Sequence, residues 1–448
     1  MSELSDLTTK CIRCGFCLEA CPTFVLTGQE TESPRGRIYL ARSADEGVLP
    51  WDEDVRKHLD TCLGCRACET ACPSGVQYGQ ILELARARLE AEMPRRAQRL
   101  LVDTVSNPTL LRLQLLAGRF FGGRRMPVAA SRLLSGEAPE ADLPRAEPAS
   151  TWPELDEVSL PPVKGHVYLL EGCAMRVLYP RVHEATRRLL RRIGYAVEPS
   201  PKAGCCGALH AHGGHLDKAL EMATMLAQNM PKELPVIVNA AGCGSFLKEL
   251  GALAGHAVGA PLEPDLTRPV EGHFRTYLQR AERTGDPGFD GFGRRTYDAS
   301  EFLAQEGLLG ALRRAQGVAG VATYHDACHL AHGQGVRAQP RDLLAAVPGL
   351  TLVPLEEADR CCGSAGTYNV TQPVLARELL ERKMEFIEAT GANVVLSGNP
   401  GCHAWIAQGA RERGRKVRVM HTIEMLESAF SGLPAEEGSG SREQGPPI

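Results

Sequence analysis

The sequence predicts a multidomain protein of mixed α/β and α+β class. A helical N-terminal domain precedes two duplicated, cysteine-rich α/β domains, each built on a parallel sheet. Two observations lead to this expectation, one near the N-terminus and one in the rest of the chain. Eight of the sixteen cysteines fall in two short runs of identical spacing. The other eight recur in the same order in two later stretches, where short apolar runs alternate with helical ones, as is typical of parallel sheets.

The two N-terminal runs, at residues 11–22 and 62–73, have the spacing C-x2-C-x2-C-x3-C-P of bacterial ferredoxins. Three closely spaced thiolates wrap one iron-sulfur cube, whereas the fourth points away and binds the other cube. Zinc ribbons and a disulfide framework are the alternatives, but neither needs this third and fourth cysteine in both runs. The pattern therefore predicts a dicluster ferredoxin-like domain with two [4Fe-4S] clusters. The crossed ligand sets are Cys11, Cys14, Cys17 and Cys72 for one cluster, and Cys62, Cys65, Cys68 and Cys21 for the other.

The ferredoxin-like domain is predicted to span residues 1–92 and to end in a helix that carries apolar residues on one face from Ile81 to Leu89. Residues 93–163 follow as a segment that is predicted to be helical at 96–136 and a proline-rich linker at 137–163. Within them, the stretch 110–121 is apolar but interrupted by two arginines and a glutamine. Such an amphipathic segment lies on a membrane, docks a partner or, more commonly, packs on its own protein.

The remaining cysteines belong to an internal repeat in which equivalent cysteines lie 155 to 159 residues apart, and duplication is the simplest explanation. The repeat predicts a first domain at 164–290 and a second at 291–430, followed by a disordered tail at 431–448. Predicted helices include 182–193 and 216–229 in the first copy. The first copy contains Cys173, Cys205, Cys206 and Cys243; the second contains Cys328, Cys361, Cys362 and Cys402.

In each copy the cysteines follow predicted strands, and open α/β sheets place their sites at the carboxyl ends of strands. Four thiols are therefore expected to converge in each domain. They would hold a further iron-sulfur cluster or zinc, or they are metal-free buried thiols. Six histidines lie close to them in sequence and are interpreted as hydrogen-bonding neighbours rather than ligands: His210, His212, His325, His329, His332 and His403.

Composition excludes several classes of protein. A net charge of -4 provides no basic stripe for nucleic acid. No apolar run reaches the roughly 18 to 20 residues that span a bilayer. The N-terminal residues lack the basic and apolar segments of a secretory signal, so a cytoplasmic location is expected, with peripheral contact at the inner face of the cytoplasmic membrane left open by residues 110–121.

No glycine-rich dinucleotide fingerprint or phosphate-binding loop is present, so neither flavin nor nicotinamide is expected on this chain. Iron-sulfur clusters carry single electrons, and any two-electron chemistry must therefore belong to a partner. Arg13 and Arg66 lie inside the cluster loops. They raise the reduction potentials by stabilising the more negative reduced state or, as surface side chains, are simply solvated or dock a partner.

The chain resembles the iron-sulfur subunits of bacterial glycolate oxidase and, more broadly, heterodisulfide reductase B-type subunits. The segments that carry this resemblance are PRGRIYL (34–40), CxxCxxCETxCPSGVxY (62–78), LEGCA (170–174), AGCCGALHAH (203–212) and CCGSAGTY (361–368). The resemblance implies a subunit that passes electrons from FAD-containing oxidase subunits, which oxidise glycolate or another 2-hydroxy acid, to a quinone-type acceptor. Such a subunit is not catalytically sufficient alone.

One departure separates the chain from the heterodisulfide reductase relatives. Their cluster-bearing domains end in C-x2-C, which supplies a fifth thiolate for a non-cubane cluster. The equivalent positions here are Phe246 and Trp405. The alternative function, a thiol/disulfide reductase subunit of the heterodisulfide reductase type, is disfavoured for this reason.

Overall fold

The computed structural model describes residues 3–121, 152–200, 204–230, 232–250 and 289–432. The predicted helical residues 122–136, most of the predicted linker at 137–163 and the predicted tail beyond residue 432 lie outside these ranges. Among the described residues, no helix is both long and apolar enough to cross a membrane.

The N-terminal part is helical, as predicted. Its helices pack around a core that includes Leu7, Ile38, Leu59 and Ile81. Helix α6 (Tyr78–Glu92) contributes Leu89 to the same core. The predicted helix that follows the second cysteine run is therefore confirmed. The helices are α1 (Glu3–Thr9), α2 (Pro22–Thr27), α3 (Pro34–Asp45), α4 (Glu53–Asp60), α5 (Ala67–Thr70), α6 (Tyr78–Glu92), α7 (Arg96–Ser106) and α8 (Pro108–Phe121).

The first cysteine-rich domain contains a four-stranded parallel sheet of order β2-β1-β3-β4. Its strands are β1 (Gly165–Leu170), β2 (Tyr195–Glu198), β3 (Val236–Val238) and β4 (Thr296–Asp298). Its helices are α9 (Ala174–Leu178), α10 (Pro180–Arg192), α11 (Ala208–His212), α12 (Leu216–Asn229), α13 (Ala241–Lys248), α14 (Phe289–Arg294), α15 (Ala299–Gln305) and α16 (Leu308–Leu312).

The second domain repeats this topology with the sheet order β6-β5-β7-β8, again entirely parallel. Its strands are β5 (Gly320–Tyr324), β6 (Leu350–Val353), β7 (Val394–Ser397) and β8 (Arg418–His421). Its helices are α17 (Ala338–Ala345), α18 (Tyr368–Thr371), α19 (Pro373–Ala389), α20 (Pro400–Glu412) and α21 (Thr422–Ser431), with a π-helical turn at His329–Gly333. The predicted fold class is therefore confirmed.

The fourth strand of each sheet was absent from the sequence prediction. β4 begins after residue 290, where the first domain was expected to end, yet it pairs with β3 of the first sheet. The first sheet therefore extends beyond that boundary. Each fourth strand is only three or four residues long and runs directly into a helix through a capping box, built by Asp298 with Glu301 and by His421 with Glu424. Such short strands leave little alternation to detect.

The two sheets share one hydrophobic core. Val167 and Leu169 of β1 and Ala322 and Leu396 of the second sheet lie in it together with residues of α10, α15, α17 and α21. A buried ion pair crosses this shared core: Glu427 of α21 is fully buried and accepts hydrogen bonds from Arg188 and Arg192 of α10 at 2.7 and 2.9 Å. The two copies are therefore held as a single body.

Replacing Glu427 by alanine should destabilise the full chain by about 3–5 kcal/mol, because Arg188 would be left buried without its counter-charge. Denaturant unfolding followed by circular dichroism measures this loss. Glu412→Ala is the matched control, because it removes a partly exposed pair with Arg377 and should cost about 1 kcal/mol or less. Equal losses in the two variants would contradict the proposed role of this pair.

Candidate iron-sulfur centres

The two N-terminal cysteine loops share one backbone conformation. In each loop, the residue before the second cysteine and the residue after it have positive φ: Arg13 and Gly15 in the first loop, Gly64 and Arg66 in the second. An L-residue in this region costs roughly 1–2 kcal/mol, so the two arginines are held there by the surrounding structure. Successive turns of this kind form backbone N–H concavities that bind anions, including iron-sulfur clusters.

The first loop lines an open pocket that contains about 410 Å³ of unfilled space. Cys11, Cys14, Cys17 and Cys72 all border it, together with Cys68 from the second loop. Cys72 therefore lies with the first loop in space, although it belongs to the second run in sequence. Thiols facing one space in an otherwise close-packed protein are a donor set that fits an iron-sulfur cube.

Cys21 is not among the residues that border that pocket. Its sulfur is 3.3 Å from the Thr23 hydroxyl and close to Cys65 and Cys68, whose pKa values are raised by burial and further by Cys21 and Cys62. Cys62 accepts hydrogen bonds at 3.4 Å from the Gly64 N–H and the Tyr78 hydroxyl. All four of these cysteines are buried.

Both cysteine-rich domains also gather four thiols. In the first, the Cys205 thiol lies 3.4 Å from Cys173, and Cys206 contacts Cys205 and Cys243. In the second, Cys361 contacts Cys328 and Cys362, and Cys362 contacts Cys402. The glycine after each cysteine pair has φ of +94° or +93°, and its backbone packs against the following helix, so that any side chain there would collide with Ala219 or Ala376.

Buried hydrophobic residues occupy the two positions at which a C-x2-C motif would supply a fifth thiolate. Phe246 and Trp405 are 2% and 1% exposed. They belong to the cores on the outer faces of the two sheets. No fifth sulfur therefore approaches either thiol set from these positions.

Comparison with known proteins gives the same division of the chain. Residues 8–76 match the 4Fe-4S dicluster domain, and residues 167–248 and 322–407 each match the cysteine-rich domain. The probable glycolate oxidase iron-sulfur subunit of Bacillus subtilis is 33% identical over 440 residues, which cover 93% of this chain and 92% of that protein. The chain belongs to the glycolate oxidase iron-sulfur subunit family.

Two further relatives support this family membership. The glycolate oxidase iron-sulfur subunit of Escherichia coli is 32% identical over 444 residues, covering 96% of this chain and 95% of that protein. Lactate utilization protein A of Geobacillus is 27% identical over 262 residues, covering 58% of this chain and 99% of that shorter protein. The resemblance inferred from the cysteine motifs and their flanking segments is confirmed.

Sequence analysis missed the role of Arg37, although it lies in the PRGRIYL segment. Its side chain is 1% exposed and donates to Glu32 at 2.6 Å and to the His58 carbonyl at 2.6 Å. It also approaches the Cys21 sulfur at 4.0 Å. This permanent buried cation is therefore shared between the Glu32 carboxylate and the sulfurs of Cys21 and Cys62, all of which lie close enough to act on the guanidinium. The 34–40 segment itself carried the signal, as an arginine on the face of α3 that faces the core.

The two arginines inside the cluster loops differ from one another. Arg13 stacks over the Tyr39 ring at 5.0 Å. Arg66 was considered a candidate surface residue, but it is largely buried and pairs with Glu69 at 2.6 Å and with Glu249 of the first cysteine-rich domain. Arg66 therefore joins the second cluster loop to the neighbouring domain.

Histidines join the domains in the same region. His329 donates its Nε2–H to the Gly64 carbonyl at 3.0 Å, and His332 lies 2.9 Å from the Thr70 hydroxyl. His212 bonds to Glu83 and His210 to Asp103, both at 2.9 Å. His403 stacks on Tyr179 with ring centroids 4.6 Å apart. His325 differs, because among the described residues its ring faces the thiols of Cys362 and Cys402 and has no nitrogen or oxygen partner.

A pocket lies where the N-terminal domain meets both cysteine-rich domains, and we call it the three-domain pocket. Its empty volume is about 1140 Å³, including space that is open to solvent. Its lining includes Cys62 from the second thiol set, His212 and Glu249 from the first cysteine-rich domain, and His329 and Tyr368 from the second. Burial raises the pKa of Glu249 to about 7, against the opposing effect of Arg66. The pocket therefore contains both a buried carboxyl with a raised pKa and a thiol of the second set.

The crossed arrangement of thiols can be tested by comparing variants in pairs. Cys72→Ala should reproduce the reduced-state EPR spectrum of Cys14→Ala, because both remove a ligand facing the first pocket. Cys21→Ala should reproduce that of Cys65→Ala. Each variant should retain about half of the iron. A Cys72→Ala spectrum that matches Cys65→Ala instead would show that each run binds its own cluster.

Proposed function

We propose that this chain is the electron-transfer subunit of a flavin-dependent glycolate (2-hydroxy acid) oxidase. The observation that carries the proposal is the pair of four-thiol sets in a chain that belongs to the glycolate oxidase iron-sulfur subunit family. Each set holds one [4Fe-4S] cluster in this proposal: Cys11, Cys14, Cys17 and Cys72 the first, and Cys62, Cys65, Cys68 and Cys21 the second. The clusters supply one-electron transfer when bound.

Electrons enter through the first cluster site, which is the more exposed of the two. Cys14 is exposed, and two large apolar side chains in the same loop, Ile12 and Phe16, are 68% and 69% exposed. Such residues beside a redox centre are typical of a partner contact. An FAD-containing oxidase subunit docks here in this proposal, and it carries out the two-electron oxidation that the clusters cannot perform.

The electrons then pass to the buried second site and leave at the three-domain pocket. Cys62 belongs to both, so the pocket is the point at which an acceptor comes nearest the second cluster. A quinone takes up protons as it is reduced. Glu249, with its pKa near 7, supplies a proton inside the pocket, and the carboxylate left after that transfer is stabilised by Arg66 of the second cluster loop.

A peripheral position at the inner face of the cytoplasmic membrane follows from a quinone acceptor. Helix α8 presents Leu110, Leu113 and Leu116 to solvent at spacings of three residues, and Leu100 of α7 is 64% exposed. The start of α7 borders the acceptor pocket, through Gln98. This apolar stripe rests on the lipid surface in the proposal, with the bulk of the protein in the cytoplasm.

The isolated chain should be inert toward glycolate when an artificial dye is the acceptor. It holds clusters but no group that accepts a hydride. Activity should appear when the flavoprotein subunit is added, together with bleaching of the clusters' visible absorption by glycolate. Turnover by the purified, flavin-free chain would refute the proposed division of labour.

The acceptor site predicts a pH dependence. Quinone reduction by the assembled complex should fall as pH rises through about 7, because Glu249 then loses the proton that it donates. Glu249→Gln should slow quinone reduction at least about tenfold and abolish that pH dependence. Glu69→Gln is the control: it weakens pairing with the same Arg66 but lies outside the pocket. An unchanged pH profile in Glu249→Gln would exclude this carboxyl as the proton donor.

The same assay separates membrane contact from chemistry. A Leu113→Glu, Leu116→Glu variant should reduce quinone in liposomes more slowly than the wild type. It should reduce a water-soluble quinone analogue at the wild-type rate, because α8 contributes only to the lipid contact. Slowing with both acceptors would contradict a membrane role for α8.

A further inference from the structure

We propose that the second cysteine-rich domain holds a single tetrahedral metal ion of the zinc class, with His325 as a ligand beside Cys362 and Cys402. The fourth ligand is one of the two remaining thiols, Cys328 or Cys361. The proposal does not depend on the electron-transfer role of the chain.

The spacing of the donor atoms favours one ion. The ligand atoms of His325, Cys362 and Cys402 all lie within 4.8 Å of one another, and no other group of this kind occurs among the described residues. A tetrahedral zinc with bonds of 2.3 Å to sulfur holds its ligand atoms about 3.8 Å apart. A cube of four irons and four sulfides requires a wider ring of thiols, and neither N-terminal thiol set is drawn together so tightly.

His325 is held in place and otherwise unused. Its backbone N–H donates to the Leu396 carbonyl at 2.9 Å, which continues the pairing of β5 with β7. Tyr324 lies in the core shared by the two sheets, so His325 points to the opposite face of the strand, where the Cys361–Cys362 turn lies. The side chain is 0% exposed, and no nitrogen or oxygen atom of the described residues bonds to either ring nitrogen. The ring instead lies close enough to the Cys362 thiol to act on its pKa, so the group that the imidazole faces is sulfur. A buried imidazole is costly unless its nitrogens are bonded, and a metal ion shared with that sulfur would satisfy one of them.

The charges around the site fit this donor set. Lys383 of α19 is 2% exposed and lies close enough to Cys361 and Cys362 for their charges to act on its amine. Its ammonium donates to the backbone carbonyl of Glu357, a bond that does not neutralise the positive charge. A divalent ion with three thiolates and one neutral imidazole carries a net charge of -1. One buried ammonium balances that charge.

The first domain supplies an internal comparison. His325 precedes Cys328 by three residues, and the residue three before Cys173 is Leu170. Lys383 follows Ala376 by seven residues, and the residue seven after Ala219 is Leu226. Both leucines are buried. The duplicated copy therefore lacks the imidazole and the ammonium together, which is expected if the two groups serve one function in the second domain.

The site also lies against the second cluster set. Cys328 is the residue whose charge acts most strongly on Cys65 after burial itself, and both lie in one hydrophobic cluster. Zinc has no redox chemistry. The ion would therefore hold in place the side chains that pack against the second cluster set, and it would not accept electrons from that cluster. The three-domain pocket then remains the place where the electrons leave.

The test is metal analysis of the full chain, purified anaerobically from cells grown with added zinc. The wild type should contain about one zinc per chain in addition to about eight irons. His325→Leu, which installs the residue of the first domain, and Cys402→Ser should each lose most of the zinc while the iron is retained. His325→Cys should keep zinc, because it replaces one zinc ligand by another.

Matched controls separate ligand loss from misfolding. His403→Leu removes a buried imidazole next to Cys402, and Cys243→Ser removes the equivalent thiol of the first domain; both should retain zinc. Replacement by Co²⁺ should give the visible d–d bands of a tetrahedral thiolate site in the wild type and not in His325→Leu. Zinc-free wild-type protein, zinc retained by His325→Leu, or iron above about eight per chain that depends on His325 would each overturn the proposal.

Discussion

The structure depends on one electrostatic constraint: sulfur ligands gathered in a low-dielectric interior must have their negative charge balanced. Sixteen thiols are grouped into four sets, and most of them are buried. Two buried cations accompany two of these sets. Arg37 lies beside the set that contains Cys21 and Cys62, and Lys383 lies beside Cys361 and Cys362. Neither cation would be stable at such depth without negative groups nearby.

The second cluster loop also organises the contacts between domains. It carries Arg66, whose partners Glu69 and Glu249 belong to different domains. The Gly64 carbonyl in the same loop accepts a hydrogen bond from His329. On the opposite side, the Tyr368 hydroxyl donates to the Thr61 carbonyl at 2.9 Å. The N-terminal domain is thus fixed against both copies through the loop that holds the second thiol set, and the pocket lined by Cys62, Glu249 and His329 lies at that junction.

Duplication gave two domains of one topology, and their sites have diverged. Both keep a parallel sheet of the same strand order, a Cys-Cys-Gly turn against a helix and four converging thiols. Among the described residues, a histidine lies within ligand distance of the thiols in the second domain and not in the first, and a buried lysine accompanies the same thiols. The inner faces of the sheets have meanwhile become one core, reinforced by the fully buried Glu427 and its two arginines. A change at that ion pair therefore affects both domains at once.

The sequence alone determined the chemistry that depends on local spacing. The cysteine spacing predicted one dicluster domain with two cysteine loops, and the repeat predicted two similar parallel-sheet domains. The alternation of apolar runs with helical stretches located most of the strands and helices. These features succeed because ligands two or three residues apart, and apolar runs that lead into a cysteine, are encoded by neighbouring residues, whereas the missed strands β4 and β8 lead into no cysteine.

The tertiary structure decided everything that joins residues distant in the sequence. It brought Cys72 to the first loop and Cys21 to the second, buried Arg37 and Lys383 beside sulfur, and paired Arg66 with Glu249, 183 residues away. It also left the imidazole of His325 facing Cys362 and Cys402, whereas the other neighbouring histidines found hydrogen bonds or ring contacts. Residue types that serve equally as ligand, ion pair or packing partner carry no local signature, because their role is set by which groups lie opposite them in the folded chain.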